Sequence, residues 1–133
     1  MGLDMFLYGK KFLWTNWEHP ELNVTEDGFT LQEKTLQIGY WRKHPNLHGF
    51  IVQTFAKGVD ECQEIELSDS DLEQILKAVK TPKKSLPTTG GFFFGSSNGS
   101  EKKEDIEILT KAIAWLKEEE DGVVRSIVYQ ASW

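Results

Sequence analysis

The sequence predicts an α+β fold in a single domain, residues 1–133, with a mostly antiparallel sheet of about five strands and three helices. Three observations carry this expectation. Segments of β-branched and aromatic residues open and close the chain. Amphipathic helical stripes fill the middle and the C-terminal third. The two kinds of segment do not alternate strictly, as βαβ units would. A length of 133 residues fits one common domain and can bury about two thirds of its unfolded surface.

Leu3, Met5 and Leu7 alternate with Asp4, Phe6 and Tyr8, so residues 3–10 read as a strand apolar on both faces, suited to the inside of a sheet. Residues 14–30 are rich in turn formers and read as a loop with a short hairpin at Asp27-Gly28, with Trp14 and Trp17 exposed. A second strand covers 35–42. Pro45 then suits a first helical turn, where its missing N–H costs nothing. Leu47, Phe50, Ile51 and Phe55, and less neatly Val52, follow at helical spacing, and Lys57-Gly58 closes the pattern. Gly49 weakens that helix by about 1 kcal/mol relative to Ala.

Ile65 and Leu67 mark a short third strand. Ser68 with Asp71 forms an N-capping pattern for a helix whose stripe is Leu72, Ile75, Leu76 and Val79. Residues 81–91 read as a loop, and "FFFGS" as a short buried strand. The third helix, 101–120, buries Ile106, Leu109, Ile113 and Leu116, with Ala112 and Trp115 on the flank. The tail "VVRSIVYQASW" reads as a final strand, central because both faces are largely apolar.

The net charge of −6 argues against duplex nucleic acid as a partner, since a basic face is the usual footprint of such binders. It leaves room for a small basic pocket, or for an acidic surface that meets a basic partner. No apolar run approaches the roughly 20 residues of a membrane span, and the N-terminus lacks the pattern of a signal peptide. A cytoplasmic protein is expected. Its single cysteine, Cys62, rules out an internal disulfide framework. Cys62 lies among acids that dull a thiol, and reads as a small buried hydrophobe.

Phosphate-loop, dinucleotide and zinc-spacing motifs are missing from the sequence, so neither a metal nor a cofactor is expected, and no catalytic residue is assigned. His44 and His48 are four apart, but Pro45 puts His44 at or before the helix cap.

What remains is "GYWRKHPNLH". A helix start presents free N–H groups and the positive end of the macrodipole. Arg42 and Lys43 just upstream, with His48 one turn in, would add charge for a phosphate there, and Asn46 a hydrogen-bonding group. Tyr40 and Trp41 offer rings for stacking. Each residue alone has an ordinary reading: Tyr40 in the core, Trp41 covering a helix, Arg42 and Lys43 at a solvated strand exit. A second candidate is the stretch Thr88, Thr89, Gly90, Gly91 and Phe92, whose hydroxyls and flexible backbone suit close approach to a ligand or a plain loop. Trp133, at the last position, either packs back on the sheet or lines a site.

Four ordered blocks, "GLDMFLYGKK", "IGYWRKHPNLHGF", "LPTTGGFFFG" and "YQASW", resemble a family of small phage- and prophage-encoded proteins. The positions that match are Trp41, Arg42, Lys43, Asn46, His48, Gly91, Phe92, Phe94, Gly95 and Trp133. Pro45 and Gly49 depart from the family pattern, as does Gln63, where a glycine is expected. The resemblance implies a phage setting and supplies no mechanism. With the helix start, it leads to non-catalytic binding of a small anionic aromatic ligand, most plausibly a nucleotide signal of host immunity sequestered by a sponge-type protein.

Two alternatives stand beside that reading. The acidic runs "EKKEDIE" and "KEEEDG" fit an inhibitor bound to a host defence protein, such as a CRISPR effector. His48 with an acid from 60–66 fits a hydrolase of nucleotide signals. The sequence leaves a homo-oligomer open.

Overall fold

A computed structural model describes residues 2–14, 21, 23–87, 89 and 101–133. The elements run β1 (Asp4–Leu13), β2 (Val24–Glu26), β3 (Phe29–Leu31), β4 (Glu33–Arg42), α1 (Pro45–Phe55), β5 (Ile65–Leu67), α2 (Asp69–Lys80), α3 (Pro82–Ser85), α4 (Lys102–Lys117) and β6 (Val123–Ser132). The fold is α+β, as expected. Six strands are described rather than five, because the Asp27-Gly28 turn builds a separate two-stranded sheet from β2 and β3.

The main sheet has the order β4-β1-β6-β5, with every pair antiparallel. The first and last long strands are thus the two interior ones, as their apolar character required. Cross-strand partners share a face. Met5 stands opposite Trp41 and Ala131, and Leu7 opposite Gly39 and Tyr129, so these residues form one face. That face meets Leu47 and Ile51 of α1, Leu72, Ile75 and Val79 of α2, and Leu109 and Ala112 of α4 in a single core. On the opposite face Phe6 stacks on Tyr8 at 5.5 Å and tilts against Tyr40 at 5.2 Å.

Two details fix how the helices sit. Gly39 lets α4 rest directly on β4, since a Cβ there would collide with Ile108. Ser68 caps α2 reciprocally, its hydroxyl accepting from the Asp71 amide at 3.1 Å while the Asp71 carboxylate accepts from the Ser68 amide at 3.0 Å.

Two expectations are corrected. Residues 81–91 are not loop throughout: Pro82 takes the first position of the one-turn helix α3, and the amides of Lys84 and Ser85 bond back to the Thr81 carbonyl. In α4 the buried face is turned, with Asp105, Leu109 and Ala112 buried while Ile106, Ile113 and Leu116 pack only partly against the core. The reason is that α4 wedges between α2 and the sheet, so its line of closest approach follows the 105, 109, 112 row. The "FFFGS" strand lies outside the described residues. Among the described residues no helix is long and apolar enough to cross a membrane.

Candidate functional site

The start of α1 is where distant parts of the chain meet. β4 ends at Arg42, and Lys43 turns the chain with a left-handed φ of 55°, its amide bonded to the Leu3 carbonyl at 2.8 Å. His44 then caps α1, with Pro45 following. This turn places Trp41, His44 and His48 on the inward side, all buried, and leaves Arg42 and Lys43 exposed.

Asp105, on the first turns of α4 and only 2% exposed, is the first anchor. Its Oδ1 accepts the Trp41 indole N–H at 2.7 Å and its Oδ2 lies 2.8 Å from His44 Nε2. A carboxylate accepts only, so Nε2 carries the proton that is shared. A buried carboxylate needs such partners, because its desolvation is otherwise costly.

Asp60, in the loop after α1, is the second anchor. Its Oδ2 lies 3.0 Å from His48 Nε2, and its Oδ1 accepts from the Trp133 indole N–H at 3.3 Å. His48 Nδ1 is 2.6 Å from the Tyr129 hydroxyl. Burial, with the Asp60 charge second, raises the Tyr129 pKa well above the ordinary phenol value. The phenol therefore stays protonated, and His48 is held at both ring nitrogens, by the Tyr129 hydroxyl on one side and Asp60 on the other. Block two of the sequence is thereby tied to block four.

Block three joins through Asn46, whose Oδ1 accepts from the Thr89 amide at 3.0 Å. Thr89 lies so close to α1 that a Cβ at Gly49 would collide with its hydroxyl. The unexpected glycine in the helix is therefore a packing requirement.

Beside these networks opens a cleft of about 600 Å³. Its inner residues are His44, Asn46, Asp105 and Leu86, and Lys80, Lys83, Lys84 and Lys102 stand exposed at its rim. The N-terminal ends of α1 and α4 both open on it, through His44 and Asn46 for one and Glu101 and Lys102 for the other. Aligned peptide dipoles make both ends positive.

The residues expected at the site are thus distributed. Asn46 lines the cleft. Trp41 is 4% exposed and its ring belongs to the core, so it orients Asp105 rather than stacking on a ligand. Arg42 and Lys43 are not among the cleft's described lining; Arg42 lies 3.8 Å from Asp4, whose Oδ1 also accepts from the Tyr40 hydroxyl at 2.5 Å on the far face of the sheet. His48 is buried in α1 and is not among the cleft's described lining, and Thr89 packs on α1. Trp133, 44% exposed, lies at Asp60. Gly91 and Phe92 lie outside the described residues.

Sequence reasoning missed Asp105, Tyr129 and the rim lysines and read His44 only as a residue at or before the helix cap, while an acid of 60–66 beside His48 was among its readings. One signal was present: Asp105 precedes Leu109 by four and Ala112 by seven, which puts a carboxylate on an apolar helical row.

The acidic end of α4 is built differently. Arg125 donates to Glu118 at 2.9 Å and to Glu120 at 2.8 Å, and Lys11 bonds Glu120 at 2.9 Å. Those hydrogen bonds, from Lys11 first and Arg125 next, lower the Glu120 pKa. Part of the acidic run therefore closes the fold locally.

Among the described residues no group of three or more His, Cys, Asp or Glu side chains is placed to hold a metal. No protein family, curated protein or solved structure is found to match this chain.

Proposed function

We propose that this protein is a non-catalytic receptor for a small anionic aromatic ligand of nucleotide type, held in the cleft between the starts of α1 and α4. The observation that carries the reading is electrostatic. In a chain of net charge −6, four lysines gather at the rim of one concavity on which two helix N-termini open. Phosphate is the anion such an arrangement suits. The cationic role moves from Arg42 and Lys43 to Lys80, Lys83, Lys84 and Lys102, while Asn46 keeps its place. A cleft of about 600 Å³ is within the range that encloses a small organic ligand.

Holding is favoured over turnover. His48 does pair with an acid of the 60–66 stretch, Asp60, but it is buried and engaged at both ring nitrogens. In a phage-encoded protein, which the family resemblance implies, binding without turnover would sequester a nucleotide signal of host immunity.

Isothermal calorimetry with mononucleotides and cyclic nucleotides tests the reading. Stoichiometric binding that falls as salt rises, and that Lys84→Ala with Lys102→Ala weakens at least tenfold, is expected. Silence across the whole panel contradicts it.

A further inference from the structure

The cations of the cleft are unevenly shared among the elements that line it. Residues 80–86 contribute Lys80 at the end of α2 and Lys83 and Lys84 in α3, with no acid among them. The fourth lysine, Lys102, directly follows Glu101, an acid that also lines the cleft and offsets its charge. The other acid of the lining, Asp105, is held by Trp41 and His44. Four lysines against two acids leave a formal excess of two positive charges, and that excess falls on the segment 80–84. All three lysines of the segment are exposed, and among the described residues none of them is in an ion pair.

A single phosphate group uses such a segment poorly. Successive residues of a helical turn point about 100° apart, so Lys83 and Lys84 diverge. Lys80 stands before the break at Thr81 that separates α2 from α3. Drawing all three ammonium groups onto one phosphate would crowd like charges and freeze three long side chains. A chain of phosphates instead meets each lysine near where it stands. Every further phosphate then gains a charge-assisted contact at little extra ordering cost.

Resting on the receptor reading above, we infer that the cleft selects a nucleoside di- or triphosphate over a monophosphate, with the phosphate chain lying along the segment from Lys80 to Lys84. Lys80 and Lys83 are then the residues that read the number of phosphates.

Calorimetry of the full chain in metal-free buffer, with the series AMP, ADP, ATP and GMP, GDP, GTP, tests this. In each series the triphosphate is expected to bind roughly tenfold more tightly than the monophosphate, with the diphosphate between them. Lys80→Ala with Lys83→Ala is expected to lower triphosphate affinity by a larger factor than monophosphate affinity. Equal binding along a series, or tightest binding of the monophosphate, overturns the inference and leaves the receptor reading standing. A triphosphate advantage that persists undiminished in the double variant does the same. No binding in either series overturns the inference, and the receptor reading then stands or falls on the cyclic nucleotides of its own panel.

Discussion

His44 and His48 stand one helical turn apart at the start of α1, and each is bound to an aspartate through Nε2, yet they serve different ends. The His48 pair is closed in by Tyr129 and Trp133 and ties α1 to the last strand. The His44 pair is fixed by Trp41 from behind and lines the cleft in front. The two dyads differ in setting: His44 and Asp105 are both buried, with side chains 4% and 2% exposed, whereas in the other pair His48 is buried and Asp60 is 28% exposed. Surroundings, not residue type, separate the two.

Breaking each pair in turn should separate the roles. The largest effect is expected for Asp105→Ala, which strips the buried Trp41 indole and His44 of their shared acceptor. A loss of about 2–5 kcal/mol follows from such removals, measurable by urea unfolding, together with loss of ligand binding. Tyr129→Phe removes the hydroxyl from the closed pair and should cost about 1–3 kcal/mol while leaving nucleotide affinity unchanged. A fall in affinity there would mean that the two networks are one site.

Gly49 follows His48 directly in α1. An alanine in a helix normally gains about 1 kcal/mol over glycine. Here the sign should reverse, with Gly49→Ala destabilising by about 1–3 kcal/mol as the new methyl meets Thr89. Thr89→Gly should relieve the clash, so the double variant would recover part of the loss in a thermal melt.

Alkaline pH gives a subtler test of the closed pair. The Tyr129 pKa is raised in the folded protein, so the unfolded chain gives up its phenol proton first. The stability Tyr129 contributes is complete below about pH 10 and is lost as pH rises from there toward the folded value. The stability difference between wild type and Tyr129→Phe, followed by urea unfolding from pH 9 to 11, should therefore shrink above pH 10. The smallest effect is expected at Lys117, whose 2.9 Å bond to Glu73 is exposed on both sides. Lys117→Ala should leave the melting temperature unchanged.

The fold was legible because its signals are local. The Ser68–Asp71 cap, the Asp27-Gly28 turn, Pro45 at the helix start and the apolar character of the first and last strands all specify their elements from neighbouring residues alone. The site was legible only in part. That the start of α1 is a meeting point for separate blocks could be read from the crowding of polar and aromatic residues there. Which side chains turn inward could not, because Trp41 and Arg42 differ only in strand parity, and parity acquires meaning once β1 is paired. The lysines at 80, 83, 84 and 102 are spread over three helices and converge only in the tertiary structure. Asp105 was hidden in a charged run that resembles an ordinary solvated face.

The central claim is that the anion is held at the cleft rather than at the exposed cations before α1. An amide NMR titration with GMP tests this most directly. Shifts clustered at Asn46, Thr81, Lys83, Lys84, Lys102 and Asp105, with Tyr40 to Lys43 unmoved, are the predicted result. Shifts centred on Arg42 and Lys43, or none at saturating nucleotide, would contradict it.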